Sequence, residues 1–236
     1  MHASRNLWVA VLIIALAVVV IVLGFQSNLT RAVVSTQAAA QQPLVDFPLV
    51  KGAYFIASDA MTSEQLLTPA KLAGAFGAET VNTWEAVQRF DTTESPLELL
   101  LIHPSALKMV DKAWLMRAYQ NGVILVFFDT YAPEIADLLE TPCLEQKGFA
   151  SEPYGGPFFV SVYKYVLGDP QDVALLNTNQ SCTGGSVSGV DGRAVSGVGA
   201  ASDSLMDDRA FVAFTRVLKG QVISLRNARS EFESTR

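Results

Sequence analysis

Residues 97–129 read LELLLIHPSALKMVDKAWLMRAYQNGVILVFFD, and this stretch decides the fold of the 236-residue chain. Leu97–His103 and Val123–Asp129 are short, nearly continuous apolar runs, typical of strands buried on both faces of a parallel sheet. Between them, apolar residues at spacings of three and four predict a helix that begins near Ser105 and ends at Asn121-Gly122. The order strand, helix, strand predicts a right-handed βαβ unit.

The segments on either side of this unit extend the same pattern. Val50–Ala57 predicts a first strand, and Thr68–Phe76 predicts a short helix with Thr68 as its cap and Pro69 at its first position. Ala132–Glu140 predicts the next helix. The first half of the chain therefore alternates strands and helices, as an α/β fold requires.

The second half is less regular. Phe158–Leu167 predicts a strand in an edge or antiparallel position, and Asp191-Gly192, between two copies of Val-Ser-Gly-Val, predicts a hairpin. A last helix begins at Ser204 and ends at Gly220, with one apolar face formed by Met206, Ala210, Phe214 and Val217. Gln221–Leu225 is a candidate final strand. The fold class predicted is a flavodoxin-like, mostly parallel α/β sheet with an irregular, partly antiparallel C-terminal half.

One N-terminal transmembrane helix precedes this sheet in the prediction. Leu7–Gly24 is an uncharged apolar run of eighteen residues, about 27 Å long as a helix and close to the hydrocarbon thickness of a bilayer. A cleaved signal peptide is the alternative, since Arg5 precedes the run, but its apolar region would normally be shorter. The positive-inside rule predicts a cytoplasmic N-terminus and an extracytoplasmic body at the cell membrane. The predicted segments are a stub (1–6), a signal anchor (7–25), a flexible tether (26–47), the α/β domain (48–226) and a charged tail (227–236).

Composition limits the classes of partner. The chain carries 23 acidic and 17 basic residues, a formal net charge of −6, which disfavours nucleic acid because its phosphates would be repelled. Two histidines and two cysteines without metal-ligand spacing predict neither a metal site nor a cofactor. Cys143 and Cys182 are a possible disulfide in an exported body, or two separate buried thiols.

Three polar residues stand where ligands bind in open parallel sheets, beyond the carboxyl ends of the strands. His103 ends one predicted strand, Ser105 opens the helix after it, and Asp129 ends the next strand. These are the residue types of a nucleophile, its base and the acid that orients the base. No Gly-x-Ser-x-Gly elbow surrounds the serine, so helix capping by Ser105 and Asp129 is the competing interpretation.

Residues 97–129 resemble the strand, helix and glycine-started strand of class I glutamine amidotransferase-like domains and their noncatalytic membrane-associated relatives. In those domains a glycine pair precedes the apolar strand, whereas this chain has Asn121-Gly122. Catalytic members use a cysteine after a strand with a downstream histidine and acid. Cys143 follows Thr141-Pro142, and no histidine follows His103. The resemblance therefore implies the flavodoxin-like fold and argues against the amidotransferase reaction.

The leading hypothesis for function is a noncatalytic binding or scaffolding module of the cell envelope. It would be held to the membrane through residues 7–25 and contact other envelope proteins. Two alternatives stay open: a serine-type hydrolase using Ser105, His103 and Asp129, and a small-molecule sensor with a pocket at the strand ends. Whether the chain is an enzyme is undecided by sequence, although the missing catalytic motifs favour a binding role.

Overall fold

The computed structural model of the protein describes residues 50–60, 67–90, 96–141, 158–168, 185–188, 192–201 and 204–234. All of them belong to one unit that spans Asp46–Arg236. The predicted anchor (7–25), the tether (26–47), Cys143 and Cys182 lie outside the described residues. Of the helices in the described ranges, none combines the length and the apolar character needed to cross a membrane.

The described strands form one mixed sheet with the spatial order β2-β1-β3-β4-β5-β7-β6. Strands β1 to β4 pair in parallel, and the pairs β4–β5, β5–β7 and β6–β7 are antiparallel. The prediction of an α/β sheet with an antiparallel C-terminal half is thereby confirmed. The strands are β1 (Gly52–Phe55), β2 (Glu79–Val81), β3 (Leu99–Ile102), β4 (Ile124–Phe128), β5 (Phe159–Gly168), β6 (Gly185–Ser188) and β7 (Gly192–Ala201).

Helices cover both faces of this sheet and create two hydrophobic cores. The helices are α1 (Pro69–Phe76), α2 (Trp84–Phe90), α3 (Lys112–Gln120), α4 (Ala132–Leu139) and α5 (Asp208–Ser234). α2, α3 and α4 bury their apolar sides on one face, which we call the α3 face, while α1 and α5 cover the opposite α5 face. Because β3 and β4 are buried on both faces, all nine of their residues are buried, which accounts for their continuous apolar sequences.

Local signals in the first half are confirmed. Thr68 caps α1, its hydroxyl oxygen accepting a hydrogen bond from the Lys71 N–H at 3.2 Å, and Pro69 occupies the first helical position. β3, α3 and β4 form the predicted βαβ unit, with β3 and β4 parallel.

The single helix expected from Ser105 onward is wrong, because the segment divides into a 3-10 turn over Pro104–Met109 and then α3. Asp111 causes the division by capping α3 through the Trp114 N–H.

The C-terminal helix is longer than its sequence pattern predicted. α5 begins after Asp207, whose carboxylate accepts hydrogen bonds from the N–H groups of Arg209 and Ala210, and it continues to Ser234. Gly220 lies inside it, so the predicted stop at Gly220 and the strand over Gln221–Leu225 are both wrong. The physical reason is packing: buried residues recur every three or four positions to Phe232 and outweigh the cost of one glycine. The segment predicted as a charged tail thus contributes to α5 as far as Ser234.

The predicted apolar face of this helix is only half correct. Ala210 and Phe214 are buried, but Met206 is 53% and Val217 36% exposed. The buried face instead continues through Leu218, Val222 and Leu225.

Two glycines in β7 leave space for side chains of the neighbouring elements β5 and α5. Gly197 pairs across the strands with Tyr163, and a Cβ at residue 197 would collide with the Tyr163 ring. A Cβ at Gly199 would lie 2.6 Å from the Cγ1 of Val217 in α5. These glycines, which in sequence resemble turn residues, are therefore packing positions within a strand. The antiparallel pairing of β6 with β7 is as predicted, but the two-residue turn at Asp191-Gly192 is wrong. Ser188 pairs with Arg193 and Gly192 belongs to β7, so the connection is longer than these two residues.

Candidate functional site

The carboxyl edge of the parallel strands contains the topological switch point of the sheet. The chain passes from β1 to β2 on one side of β1 and then returns to β3 on its other side. The loops after β1 and β3 therefore leave the sheet in different directions, and a crevice opens between them in folds of this type. The loop after β1 begins at Ile56, and the loop after β3 begins at His103.

Ser105 connects these two loops. Its hydroxyl oxygen accepts a hydrogen bond from the Ala57 N–H at 3.2 Å and lies 2.6 Å from the Nδ1 of His103. The Ser105 N–H donates to the same Nδ1 at 3.1 Å. We call this set of three contacts among Ala57, His103 and Ser105 the Ser105 bridge. Ser105 itself is exposed, whereas Ala57 and His103 are buried.

These contacts fix which ring nitrogen of His103 carries the proton. The backbone N–H of Ser105 can only donate, so Nδ1 must present its lone pair and the proton of the neutral ring lies on Nε2. The Ser105 hydroxyl then donates its own proton to Nδ1. Burial lowers the pKa of the His103 imidazole below its ordinary value, which favours this neutral form.

The second nitrogen of His103 is enclosed. The residue is 4% exposed, and its Nε2 makes no hydrogen bond within the described ranges. The ring packs edge-on against Tyr54 of β1, with 6.4 Å between centroids, which places it on the α5 face of the sheet. Because its Nδ1 accepts the Ser105 N–H, His103 is the N-cap residue of the 3-10 turn, a role that the sequence had suggested for Ser105.

Asp129 does not join this pair. Its carboxylate accepts a hydrogen bond from the Phe158 N–H at 3.0 Å, and Phe158 packs in the core of the α3 face. Residue 129 also adopts a left-handed backbone conformation, with φ at 45°, which ends β4. Burial raises the pKa of the Asp129 carboxyl, and the Phe158 N–H acts in the opposite direction. His103 and Asp129 thus follow neighbouring strands, but His103 packs on the α5 face of the sheet and Asp129 binds a residue of the α3 face.

The side chains of Ser105, His103 and Asp129 each accept a hydrogen bond from a backbone N–H group, and they do not form a catalytic triad. In a catalytic triad, an acid binds the ring nitrogen that does not face the serine. Here that nitrogen is Nε2, which has no partner in the described part of the chain, and Asp129 binds backbone instead. The chemistry available is hydrogen bonding by the exposed Ser105 hydroxyl and by neighbouring polar groups of the β1 loop, such as Ser58 and Asp59.

Sequence reasoning located this edge but missed its central contact. The Ala57–Ser105 hydrogen bond joins residues 48 positions apart, and it depends on the parallel pairing of β1 with β3. The predicted flavodoxin-like fold implies that pairing, but the residue pattern did not indicate which side chain would connect the two loops. Among the described residues, no group of three or more His, Cys, Asp or Glu side chains is placed to hold a metal ion.

Comparisons with known proteins identify no relative of this chain. No family model, curated protein or solved structure matches the chain. The functional interpretation is therefore based on the sequence and on the side chains at the switch point.

Proposed function

We propose that this protein is a noncatalytic binding or scaffolding module of the cell envelope, with a flavodoxin-like domain that uses the β1–β3 switch point as its binding edge. The spatial order β2-β1-β3-β4 supports the flavodoxin-like assignment. In this form the domain is a noncatalytic relative of class I glutamine amidotransferase-like domains. The apolar run Leu7–Gly24 supports a single-span anchor with the domain outside the cell membrane.

One observation carries the noncatalytic part of this proposal. The His103 Nδ1 that faces Ser105 already accepts the Ser105 backbone N–H, and no acid orients the ring from Nε2 in the described ranges. A base engaged by a backbone donor has less capacity to remove the hydroxyl proton, and its buried cationic form would be unpaired. The polar groups of the edge therefore suit recognition better than proton transfer.

The binding edge makes the proposal testable with single substitutions. Ser58 is exposed in the loop after β1, whereas Ser230 is exposed near the far end of α5. We would express the full chain with an affinity tag in its native host and compare the envelope proteins that copurify with the wild type, Ser58→Arg and Ser230→Arg. Loss of a defined partner in Ser58→Arg, but not in Ser230→Arg, supports the switch point. An unchanged partner set in both variants contradicts it.

A serine-type hydrolase is the second candidate, favoured by the 2.6 Å separation between the Ser105 hydroxyl oxygen and His103 Nδ1. In that case Ser105 would be the nucleophile and His103 its base, with Asp129 excluded from the relay by its bond to Phe158. A fluorophosphonate probe, which labels activated serines covalently, separates the two candidates.

A further inference from the structure

The outer face of α5 presents apolar side chains to solvent. Val217 is 36% and Ile223 43% exposed, and they are two of the four large apolar side chains that are exposed in the described residues. Val217 lies three residues before Gly220, and Ile223 lies three residues after it. Gly220 is itself exposed, and nothing lies within 4 Å of the position that a Cβ would occupy. An apolar pair centred on a small residue is a surface that a second helix can cover closely.

The charges on the same face are arranged about the same centre. Arg209 lies eleven residues before Gly220 and Glu231 lies eleven residues after it, and both are exposed. Eleven residues make about three turns of an α-helix, so both side chains project within about 20° of the direction of Gly220. Within one chain the two residues are about 33 Å apart along the helix, so they do not pair with each other. The face is complementary to itself only when one helix is reversed.

We propose that this face pairs with the same face of a second copy of the chain, as two antiparallel α5 helices related by a two-fold axis at Gly220. Such an axis places each residue before Gly220 opposite the residue that lies equally far after it in the second copy. Val217 then packs against Ile223 of the second copy, and Arg209 meets Glu231 of the second copy. By symmetry each of these contacts occurs twice.

Charge also selects the direction of the pairing. Parallel helices would place Arg209 against Arg209 and Glu231 against Glu231, and like charges would repel. In the antiparallel pair, the half-buried Arg216 falls opposite the exposed Ser224 of the second copy and not opposite a cation.

The charge pair also limits the crossing angle of the two helices. A crossing angle of about 20° separates the helix axes at Arg209 and Glu231 by only about 6 Å more than at the centre, whereas about 50° would add about 14 Å. Only the smaller angle keeps both ends within reach of an arginine and a glutamate side chain. The pairing involves α5 alone and does not rest on the binding function proposed above.

The charge pair provides the first test. Sedimentation velocity of the full chain, in detergent with an excess of micelles over protein, measures the oligomeric state. We expect dimers of the wild type at micromolar concentration. Arg209→Glu or Glu231→Arg alone should raise the Kd of the dimer about tenfold, because each variant places two pairs of like charges in the interface.

A mixture of the two single variants should form dimers again. When Arg209→Glu meets Glu231→Arg, both contacts join opposite charges, so the heterodimer should bind about as tightly as the wild type. The double variant should dimerise for the same reason. Because the two positions are about 33 Å apart in one chain, only a contact between chains can produce this rescue. Circular dichroism of each variant checks that the exposed substitutions leave the fold intact.

Ile223→Ser tests the apolar contact, with Met109→Ser as its matched control. Met109 lies in the 3-10 turn after β3 and is 41% exposed, close to the 43% of Ile223. Ile223→Ser should raise the Kd about tenfold, because it removes two apolar contacts with Val217. Met109→Ser should leave the Kd unchanged.

A wild type that stays monomeric at high concentration would overturn the pairing. Unchanged dimers in both charge variants would do the same, as would a mixture of these variants that stays monomeric. Equal weakening by Ile223→Ser and Met109→Ser would place the interface elsewhere. A monomeric wild type that copurifies with an envelope protein, lost in Ile223→Ser, would assign the face to a different partner and overturn the proposal.

Discussion

The Ser105 hydroxyl oxygen lies 2.6 Å from His103 Nδ1 while it also accepts the Ala57 N–H at 3.2 Å. This one oxygen therefore connects the loops after β1 and β3, two strands that are adjacent in the sheet but distant in sequence. Loss of this connection should therefore lower the free energy of unfolding of the domain.

Ser105→Ala should lower the free energy of unfolding by about 1 kcal/mol, because the Ala57 N–H loses its acceptor at a partly exposed position. Denaturant unfolding monitored by circular dichroism measures this change. Ser58→Ala, at an exposed position in the neighbouring loop, is the matched control and should stay within about 0.5 kcal/mol of the wild type. Equal stabilities of the two variants would argue against the bridge.

The free energy of unfolding should decrease as pH falls below 6.5. His103 has a lowered pKa in the folded protein, so the unfolded chain, with an ordinary value of 6.5, binds the proton first. The contribution of neutral His103 is fully present above pH 6.5 and is lost as pH falls toward the folded pKa. Denaturant unfolding from pH 8 to 5.5 should show this decline in the wild type and a smaller one in His103→Asn. Curves of equal slope would assign the decline to another group.

Gly220→Ala should stabilise the protein by about 0.5–1 kcal/mol, because Gly220 lies inside α5 and a methyl group added there would meet open space. Gly77→Ala is the opposite control: space is also available there, but φ is 66° at the C-cap of α1, where alanine is strained. Thermal unfolding of both variants tests the length of α5. If Gly220→Ala destabilises the protein, the helix does not continue through this position.

Gly197→Ala should destabilise the domain by about 1–3 kcal/mol, because its Cβ would overlap the Tyr163 ring. Tyr163→Val together with Gly197→Ala should show a smaller combined loss than the sum of the two single losses, since the overlap is then removed. Chemical denaturation of the four proteins measures this coupling. Additive losses would show that Tyr163 and Gly197 do not pack against each other.

The sequence predicted the elements whose signals are local. The apolar runs of β3 and β4 and the Thr68-Pro69 start of α1 follow from periodicity and capping chemistry. The pattern of β5 left an edge or an antiparallel position open, and the structure has it antiparallel between β4 and β7. The division of the helix after β3 was missed because the capping of α3 by Asp111 competes with a continuous apolar pattern. The predicted end of α5 at Gly220 is wrong for a different reason. The helix continues through Gly220 because packing of the buried residues before and after it outweighs the low helix propensity of glycine.

The site was predictable in position but not in geometry. The rule for open sheets placed His103, Ser105 and Asp129 at one edge, and the structure confirms that each follows a parallel strand or lies in the loop after it. It does not bring the three together, because Asp129 ends β4 with a positive φ and binds Phe158. The predicted fold implies that β1 lies beside β3, but the contact between Ala57 and Ser105 depends on the exact course of the two loops, which residue spacing does not indicate.

Labelling of Ser105 tests the noncatalytic proposal most directly. Purified wild type and Ser105→Ala would be incubated with a fluorophosphonate probe at pH 7.5, and labelling would be measured by intact-protein mass spectrometry, with a known serine hydrolase as positive control. We predict that the wild type is labelled no more than Ser105→Ala, because His103 Nδ1 is engaged by backbone and lacks an orienting acid within the described ranges. Stoichiometric labelling of the wild type that disappears in Ser105→Ala would contradict the binding-module proposal and establish Ser105 as a nucleophile.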